Sequence, residues 1–194
     1  VMYTMRDIAI TELRNIDRIA FNPTGSSLAV LRPKKPIAIF SFRERNKKLF
    51  ELKDKRKGLK EKPLMLAMCY GSDARNFIAS NSLGEIIVYD TKAYLPQAYI
   101  KCSAPATALA LSANNYFSAS AVGKNIVIWN FQTKEQRTSI PMPATVKEVA
   151  FSTDASLLAA TTDDNRLTII DTKNWEKVDI FDKLGGKLTS PSFH

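Results

Sequence analysis

One pattern recurs four times along the chain and constrains its fold more than any other feature. Each copy begins with a short apolar run, passes through a polar turn into a second run rich in small residues, and closes with a run of β-branched residues. The copies occupy residues 18–41, 67–90, 108–130 and 148–171. Short runs of this composition, bounded by Asn, Pro, Gly, Ser and Asp, are typical of strands joined by tight turns. A more polar run that follows as residues 97–102, 137–141 and 177–181 predicts a fourth strand.

The spacing of the copies predicts the architecture. The third run of each copy ends in an aromatic or apolar residue followed by a small polar or acidic one: Phe40-Ser41, Tyr89-Asp90, Trp129-Asn130 and Ile170-Asp171. Asp90 and Asn130 are 40 residues apart and Asn130 and Asp171 are 41 apart, whereas Ser41 to Asp90 spans 49 residues because a basic segment is inserted. Four-stranded repeats of about 40 to 45 residues are the signature of β-propeller blades. We therefore predict an all-β propeller of about four four-stranded antiparallel blades.

The four pairs resemble the Trp-Asp dipeptide of the WD40 family, and residues 21–25 and 151–154 resemble the family's Phe-Ser-Pro-Asp-Gly turn. The resemblance covers residues 16–185 and implies a propeller of WD40 type. Every copy lacks the family's Gly-His pair. The hydrogen-bonded tetrad that the family builds around this histidine is therefore not expected.

We expect one propeller segment that forms an incomplete or half ring. Its predicted parts are a strand of a preceding blade in 1–10, blade 1 with the basic insertion in 16–62, and blades 2, 3 and 4 in 64–102, 106–141 and 146–183, followed by the start of a fifth blade in 187–194. A piece of a longer propeller is the favoured interpretation, ahead of a half ring that pairs with a second copy and of a true four-bladed ring. Open blade edges and faces predict self-association.

The sequence contains no recognisable catalytic motif. The sole histidine is the last residue, His194, and the two cysteines, Cys69 and Cys102, have neither the spacing nor the neighbours of a zinc site. Phosphate-binding loops, HExxH and GxSxG are absent. Asp163-Asp164 is interpreted as part of a turn rather than as an acid–base pair. We therefore expect no enzyme activity, no cofactor and no metal site.

Positive charge is concentrated in one segment. Residues 43–62 hold ten Lys or Arg and four Asp or Glu, which accounts for +6 of the net charge of +9. Propeller loops commonly carry function, so we expect a protein-interaction platform whose partner the sequence does not identify. Its candidate surface consists of Arg32, Lys34, Lys35, Lys53, Lys55, Arg56 and Lys57.

Two other functions remain open. The basic run 43–62 could bind nucleic acid or an anionic surface electrostatically, although it offers only Phe50 for base stacking. The blades could instead support another domain of a larger protein. No apolar stretch approaches the roughly 20 residues of a transmembrane helix. We expect a cytoplasmic location from the unpaired cysteines and the lack of a leader, with an exported bacterial protein as the alternative.

Overall fold

The computed structural model describes residues 15–42, 48–52, 56, 62–182, 188, 191 and 193. In this part of the chain every regular element is a β-strand. Blade 1 comprises β1 (Arg18–Phe21), β2 (Ser27–Leu31), β3 (Ile37–Ser41) and β4 (Lys48–Leu52). Blade 2 comprises β5 (Met65–Tyr70), β6 (Asn76–Asn81), β7 (Glu85–Asp90) and β8 (Pro96–Lys101). Blade 3 comprises β9 (Ala108–Leu111), β10 (Phe117–Val122), β11 (Asn125–Asn130) and β12 (Gln136–Pro141). Blade 4 comprises β13 (Val146–Phe151), β14 (Leu157–Thr162), β15 (Leu167–Asp171) and β16 (Lys177–Phe181).

The sheets confirm the predicted fold class. Each blade is a four-stranded antiparallel sheet in which consecutive strands are neighbours, and the four sheets are arranged as a four-blade β-propeller. The blade boundaries proposed from the sequence stay a prediction. The strand proposed for residues 1–10 lies outside the described residues, as does most of the fifth blade proposed for 187–194.

All four blades share an irregularity between their third and fourth strands. The pairing register shifts by one residue just before the pair that ends the third strand, for example between Val88 and Tyr89 in blade 2 and between Ile128 and Trp129 in blade 3. A β-bulge of this kind bends the strand and increases its twist. The repeated position of the bulge gives the four blades the same local shape.

Apolar side chains fill the three interfaces between consecutive blades. Three buried clusters join blades 1 and 2, blades 2 and 3, and blades 3 and 4. The second strands supply small residues to this core; Ser118, Ala119, Ser120 and Ala121 of β10 are all buried. Small residues are suited to the crowded inner part of a propeller.

In blades 2, 3 and 4 the second residue of the pair caps the turn that follows it. The Asp90 carboxylate accepts hydrogen bonds from the backbone N–H groups of Lys92 and Ala93 at 3.0 and 2.9 Å. Asn130 and Asp171 cap the corresponding turns of blades 3 and 4 through the same side-chain oxygen. These side chains mimic a backbone turn, which explains why Asp or Asn occupies the position.

The same turns attach blades to their predecessors. Tyr94 and Trp175 occupy equivalent turn positions with φ angles of 52° and 63°. The Tyr94 hydroxyl lies 2.6 Å from that of Tyr70 and 3.3 Å from Oγ of Ser27 in blade 1. The Trp175 ring meets the Phe117 ring of blade 3 edge-on at 5.0 Å. A left-handed turn residue thus directs an aromatic side chain back onto the preceding blade.

One ion pair joins the first blade to the last. Arg18 of β1 contacts both carboxylate oxygens of Glu148 in β13, at 2.7 and 2.9 Å. The same guanidinium donates to the Thr107 carbonyl, which precedes β9, at 3.3 Å. The N-terminal parts of β1, β9 and β13 therefore lie close together.

Candidate interaction surface

The two ends of the propeller are built from different loops. One end carries the turns between second and third strands together with the segments that link successive blades. Met142 N donates to the Lys124 carbonyl at 2.8 Å, and Cys102 N donates to the Gly84 carbonyl at 2.8 Å, so turn and linking segment are joined there. We call this the lysine end, because Lys34, Lys35, Lys62, Lys101, Lys124 and Lys147 are exposed on it.

The opposite end carries the turns between first and second strands and those between third and fourth strands. Thr91 N donates to the Arg75 carbonyl at 3.0 Å, and Thr172 N donates to the Ser156 carbonyl at 3.0 Å, which joins the two kinds of turn. Asn and Asp side chains that bond their own backbone dominate this end, and we call it the Asx end. The two ends therefore differ in loop type.

Lys34 and Lys35 occupy the tip of the first turn at the lysine end. Both side chains are exposed. Lys35 N donates to the Arg32 carbonyl at 3.2 Å, and Lys34 has a φ angle of 57°. Pro33 and Pro36 flank the two lysines and restrict the backbone on either side. The turn therefore presents two cations on a short, constrained loop.

The two arginines of the predicted surface bind carboxylates within the chain. Arg32 is half-buried and lies 3.7 Å from the Glu51 carboxylate. Arg56 donates two hydrogen bonds to Glu85, at 2.8 and 3.0 Å, and its guanidinium lies 4.5 Å from the centre of the Tyr99 ring. Paired and stacked guanidinium contacts of this kind are strong and well oriented.

The Arg56 side chain therefore contacts blade 2. Its hydrogen bonds hold the pKa of Glu85 below the ordinary value, more than the partial burial of that carboxyl raises it. Glu85 also accepts a hydrogen bond from the Asn81 amide at 2.8 Å. The remaining members of the predicted surface, Lys53, Lys55 and Lys57, lie outside the described residues.

Other residues of the lysine end were missed by the sequence analysis. Lys62 and Lys147 lie where the chain enters blades 2 and 4, and Lys124 lies in the turn between β10 and β11. They are exposed, and among the described residues none of the three has a carboxylate partner. Aligning the four copies would have placed Lys124 in the turn equivalent to that of Lys34 and Lys35, because all three residues follow a second strand.

Exposed aliphatic side chains accompany the lysines. Leu64 and Leu83 are exposed, and Leu64 N donates to Oγ of Ser82 at 3.0 Å. The Lys101 ammonium donates to the Leu83 carbonyl at 2.7 Å. Lysines and leucines are thus adjacent on blade 2, which gives this part of the surface both charge and apolar area.

The carboxylates of the turns have structural partners. Asp154 accepts hydrogen bonds from the hydroxyls of Ser152 and Ser156 and from Ser156 N, which lowers its pKa to about 2. Asp163 accepts from Thr145 N at 3.1 Å, and Asp164 accepts from the Thr162 hydroxyl at 2.5 Å. These side chains stabilise turns, as the sequence predicted for Asp163-Asp164.

The two cysteines are free thiols. Burial raises the pKa of Cys69 to about 12 and that of Cys102 to about 11. Thiols with raised pKa values are poor nucleophiles at neutral pH because little thiolate forms. Within the described part of the chain, no three His, Cys, Asp or Glu side chains cluster as metal ligands would, and no helix is long and apolar enough to cross a membrane.

Comparison of the chain with models of known protein families and with curated proteins gives no match. The four-blade propeller therefore follows from the strand arrangement alone.

Proposed function

We propose that the chain is a divergent WD40-type propeller that acts as a non-enzymatic protein-interaction platform, with the lysine end as its contact surface. The observation that carries the proposal is the exposure of Lys34 and Lys35 on a constrained turn of that end. The WD40 assignment is supported by the residue pair that ends the third strand, such as Trp129-Asn130, because it follows the register shift in all four blades. In blade 3 the Trp129 indole also donates to the buried Ser120 hydroxyl at 2.9 Å.

The charge pattern supports an acidic protein partner. Arg18, Arg32, Arg56 and Arg166 already contact carboxylates of the chain. The exposed lysines are left to attract a partner of opposite charge, which raises the association rate more than the affinity. The leucines beside them supply apolar area that a protein surface can bury.

Nucleic acid is the second candidate, since phosphates also attract lysines. Single-stranded nucleic acid is usually bound with aromatic side chains on which bases stack. At the lysine end Tyr99 is exposed but lies beneath the Arg56 guanidinium, and the apolar side chains next to the lysines are Leu64 and Leu83. This composition favours a protein partner.

A pair of double variants tests the choice of surface. Lys34→Glu with Lys35→Glu reverses the charge of the lysine end, and Lys92→Glu with Lys173→Glu makes the same change at exposed sites of the Asx end. Neither Lys nor Glu is glycine, so the left-handed backbone at position 34 is strained similarly in the wild type and in the Lys34→Glu variant. Immobilised wild type and variants are incubated with nuclease-treated lysate, and captured proteins are quantified by mass spectrometry.

We expect the wild type and the Asx-end variant to enrich the same proteins, and the lysine-end variant to lose at least tenfold of that enrichment. Leu83→Ser should also weaken protein capture, while leaving the fluorescence anisotropy of a labelled 30-nucleotide single strand unchanged. Capture that survives the lysine-end reversal would overturn the proposed surface. If nuclease abolishes capture and the single strand binds the wild type but not the lysine-end variant, the function is nucleic-acid binding instead.

A further inference from the structure

One face of blade 4 is turned away from blade 3. Leu158 and Ala160 of β14 belong to the buried cluster shared with blade 3. Ala159 and Thr161 alternate with them along the strand and therefore point to the opposite side of the sheet. We call this side the open face of blade 4, and the pairing of the strands places on it Ala159, Thr161, Leu167, Ile169 and Phe181.

The exposure of the open face increases from its inner to its outer edge. Ala159 and Thr161 of the second strand are at most 3% exposed. Leu167 and Ile169 of the third strand are half-buried, and Phe181 of the fourth strand is 43% exposed. The residues that occupy the register position of Phe181 in the other blades are at most 5% exposed; they are Leu52, Ile100 and Ile140. The inner half of the open face is therefore covered, and the outer half is not.

The buried hydroxyl of Thr161 has no hydrogen-bond partner among the described residues. Ser80 occupies the same register position in blade 2, because each of the two lies opposite the residue three places before the end of its inner strand. The Ser80 hydroxyl donates to the carbonyl of Ala106, just before the inner strand of blade 3, at 2.7 Å. Thr161 is therefore placed to donate in the same way to a segment that follows blade 4.

The inner strands contact the preceding blade through three residues with a fixed spacing of three and then two positions. These residues are Met65, Met68 and Tyr70 in blade 2, Ala106, Leu109 and Leu111 in blade 3, and Val146, Val149 and Phe151 in blade 4. In blades 2 and 4 the pairing register shifts after the first residue, which explains the step of three. Regular alternation gives steps of two, so this spacing characterises the inner strand of a blade.

The C-terminal segment, residues 188–193, carries apolar residues with the same spacing. Leu188, Pro191 and Phe193 are separated by three and then two positions, and all three are half-buried. Leu188 follows Phe181 by seven positions, whereas the equivalent step is six residues between blades 2 and 3 and between blades 3 and 4. An inner strand pairs on one side only, so it can accommodate Pro191.

We propose that the C-terminal segment docks on the open face of blade 4 as the inner strand of a fifth blade. Leu188, Pro191 and Phe193 face blade 4, and the Thr161 hydroxyl donates to the Leu188 carbonyl. One inner strand covers only the inner half of a face, which explains why Phe181 stays exposed while Thr161 is buried. This contact is separate from the lysine end and does not depend on its function.

The Thr161 hydroxyl provides the first test. Thr161→Val replaces the hydroxyl with a methyl group and should lower the urea midpoint by about 0.5 M, as Ser80→Ala should, because each removes a buried hydrogen bond. In a Leu188→Glu background, which releases the segment, Thr161→Val should leave the midpoint unchanged or raise it. A Thr161→Val variant that is as stable as the wild type would show that the hydroxyl has no partner, and this would overturn the proposal.

The accessibility of the segment provides the second test, with each labelled cysteine followed by peptide mass spectrometry. Leu188→Cys should react with a thiol reagent at least 10-fold more slowly than Val178→Cys, at a position 55% exposed on β16. Adding Leu167→Glu, or Phe181→Glu if that variant does not fold, should bring the two rates within about twofold of each other. Adding Leu95→Glu, at an exposed leucine of the Asx end, should not.

Two outcomes of the labelling experiment contradict the proposal. Equal rates for Leu188→Cys and Val178→Cys in otherwise unmodified chains would show that the segment is not docked. Protection of Leu188→Cys that disappears on dilution from about 50 to about 1 μM would show that a second copy covers the segment instead of its own blade 4.

Discussion

Two serines on β10 provide a matched test of how buried polar groups contribute to the stability of the blades. Ser118 and Ser120 are two residues apart, face the same side of the sheet and are both fully buried. The Ser120 hydroxyl accepts a hydrogen bond from the Trp129 indole at 2.9 Å and donates to the Val127 carbonyl at 3.2 Å. The Ser118 hydroxyl has no hydrogen-bond partner among the described residues.

The two serine-to-alanine substitutions should therefore change the free energy of unfolding by different amounts or in opposite directions. Ser120→Ala leaves the buried indole N–H of Trp129 without its acceptor, which costs about 1–3 kcal/mol of unfolding free energy. Ser118→Ala removes a hydroxyl that is buried without a partner, so the change should be neutral or stabilising. Loss of packing is nearly equal in the two variants, because each removes one oxygen from the same strand.

Urea unfolding followed by tryptophan fluorescence measures the difference. With a denaturant slope of about 2 kcal/mol per molar urea, Ser120→Ala should lower the midpoint by about 0.5–1.5 M while the slope is unchanged. In a Trp129→Phe background the same substitution should cost less, because the donor is already absent. Equal destabilisation by Ser118→Ala and Ser120→Ala would refute the argument from the hydrogen bond.

Three further predictions concern titratable groups. Cys69 and Cys102 should react with a thiol-reactive reagent at pH 8 at least 10-fold more slowly in the folded protein than in urea, because burial raises the pKa of each thiol. Equal rates in the two conditions would contradict their burial. The Glu85 carboxylate has a lowered pKa and therefore stabilises the folded protein at pH values above the pKa of an unfolded glutamate. This stabilisation is lost as the pH falls through the pKa of Glu85 in the folded protein. Glu85→Gln should therefore flatten the decline in melting temperature below pH 5. Asp154, whose pKa is lowered to about 2, contributes stability above about pH 4 that disappears by pH 2; Asp154→Asn should lower the melting temperature at pH 6 but not at pH 2, as circular dichroism would show.

The repeat made the blades predictable because strand sequence, turn composition and spacing all agreed. The pair at Tyr89-Asp90 was recognised as a fixed point, and the structure gives its physical reasons: a bulge precedes Tyr89, and Asp90 caps the next turn. The conformation and contacts of Tyr94 were not predictable from the sequence. Its left-handed backbone and its hydrogen bonds to blade 1 depend on how two blades face each other, and sequence periodicity contains no such information.

The candidate surface was predictable only in part. Charge density selected Lys34, Lys35 and Arg56 together, because a sequence shows where cations are concentrated but not which carboxylates they contact. Glu85, the partner of Arg56, is 29 residues away along the chain. The exposure of Phe181 was likewise hidden, because the apolar residues at this register position are buried in every other blade.

The contact between Arg18 and Glu148 has a consequence for the order of folding. It joins residues 130 positions apart, whereas most other contacts lie within one hairpin or between consecutive blades. Local hairpins close rapidly, and the entropy cost of closing a segment rises with its length. Blades therefore form and pack on their neighbours before the first and last meet. Until that final step, the first blade is attached to the last only through the two blades between them.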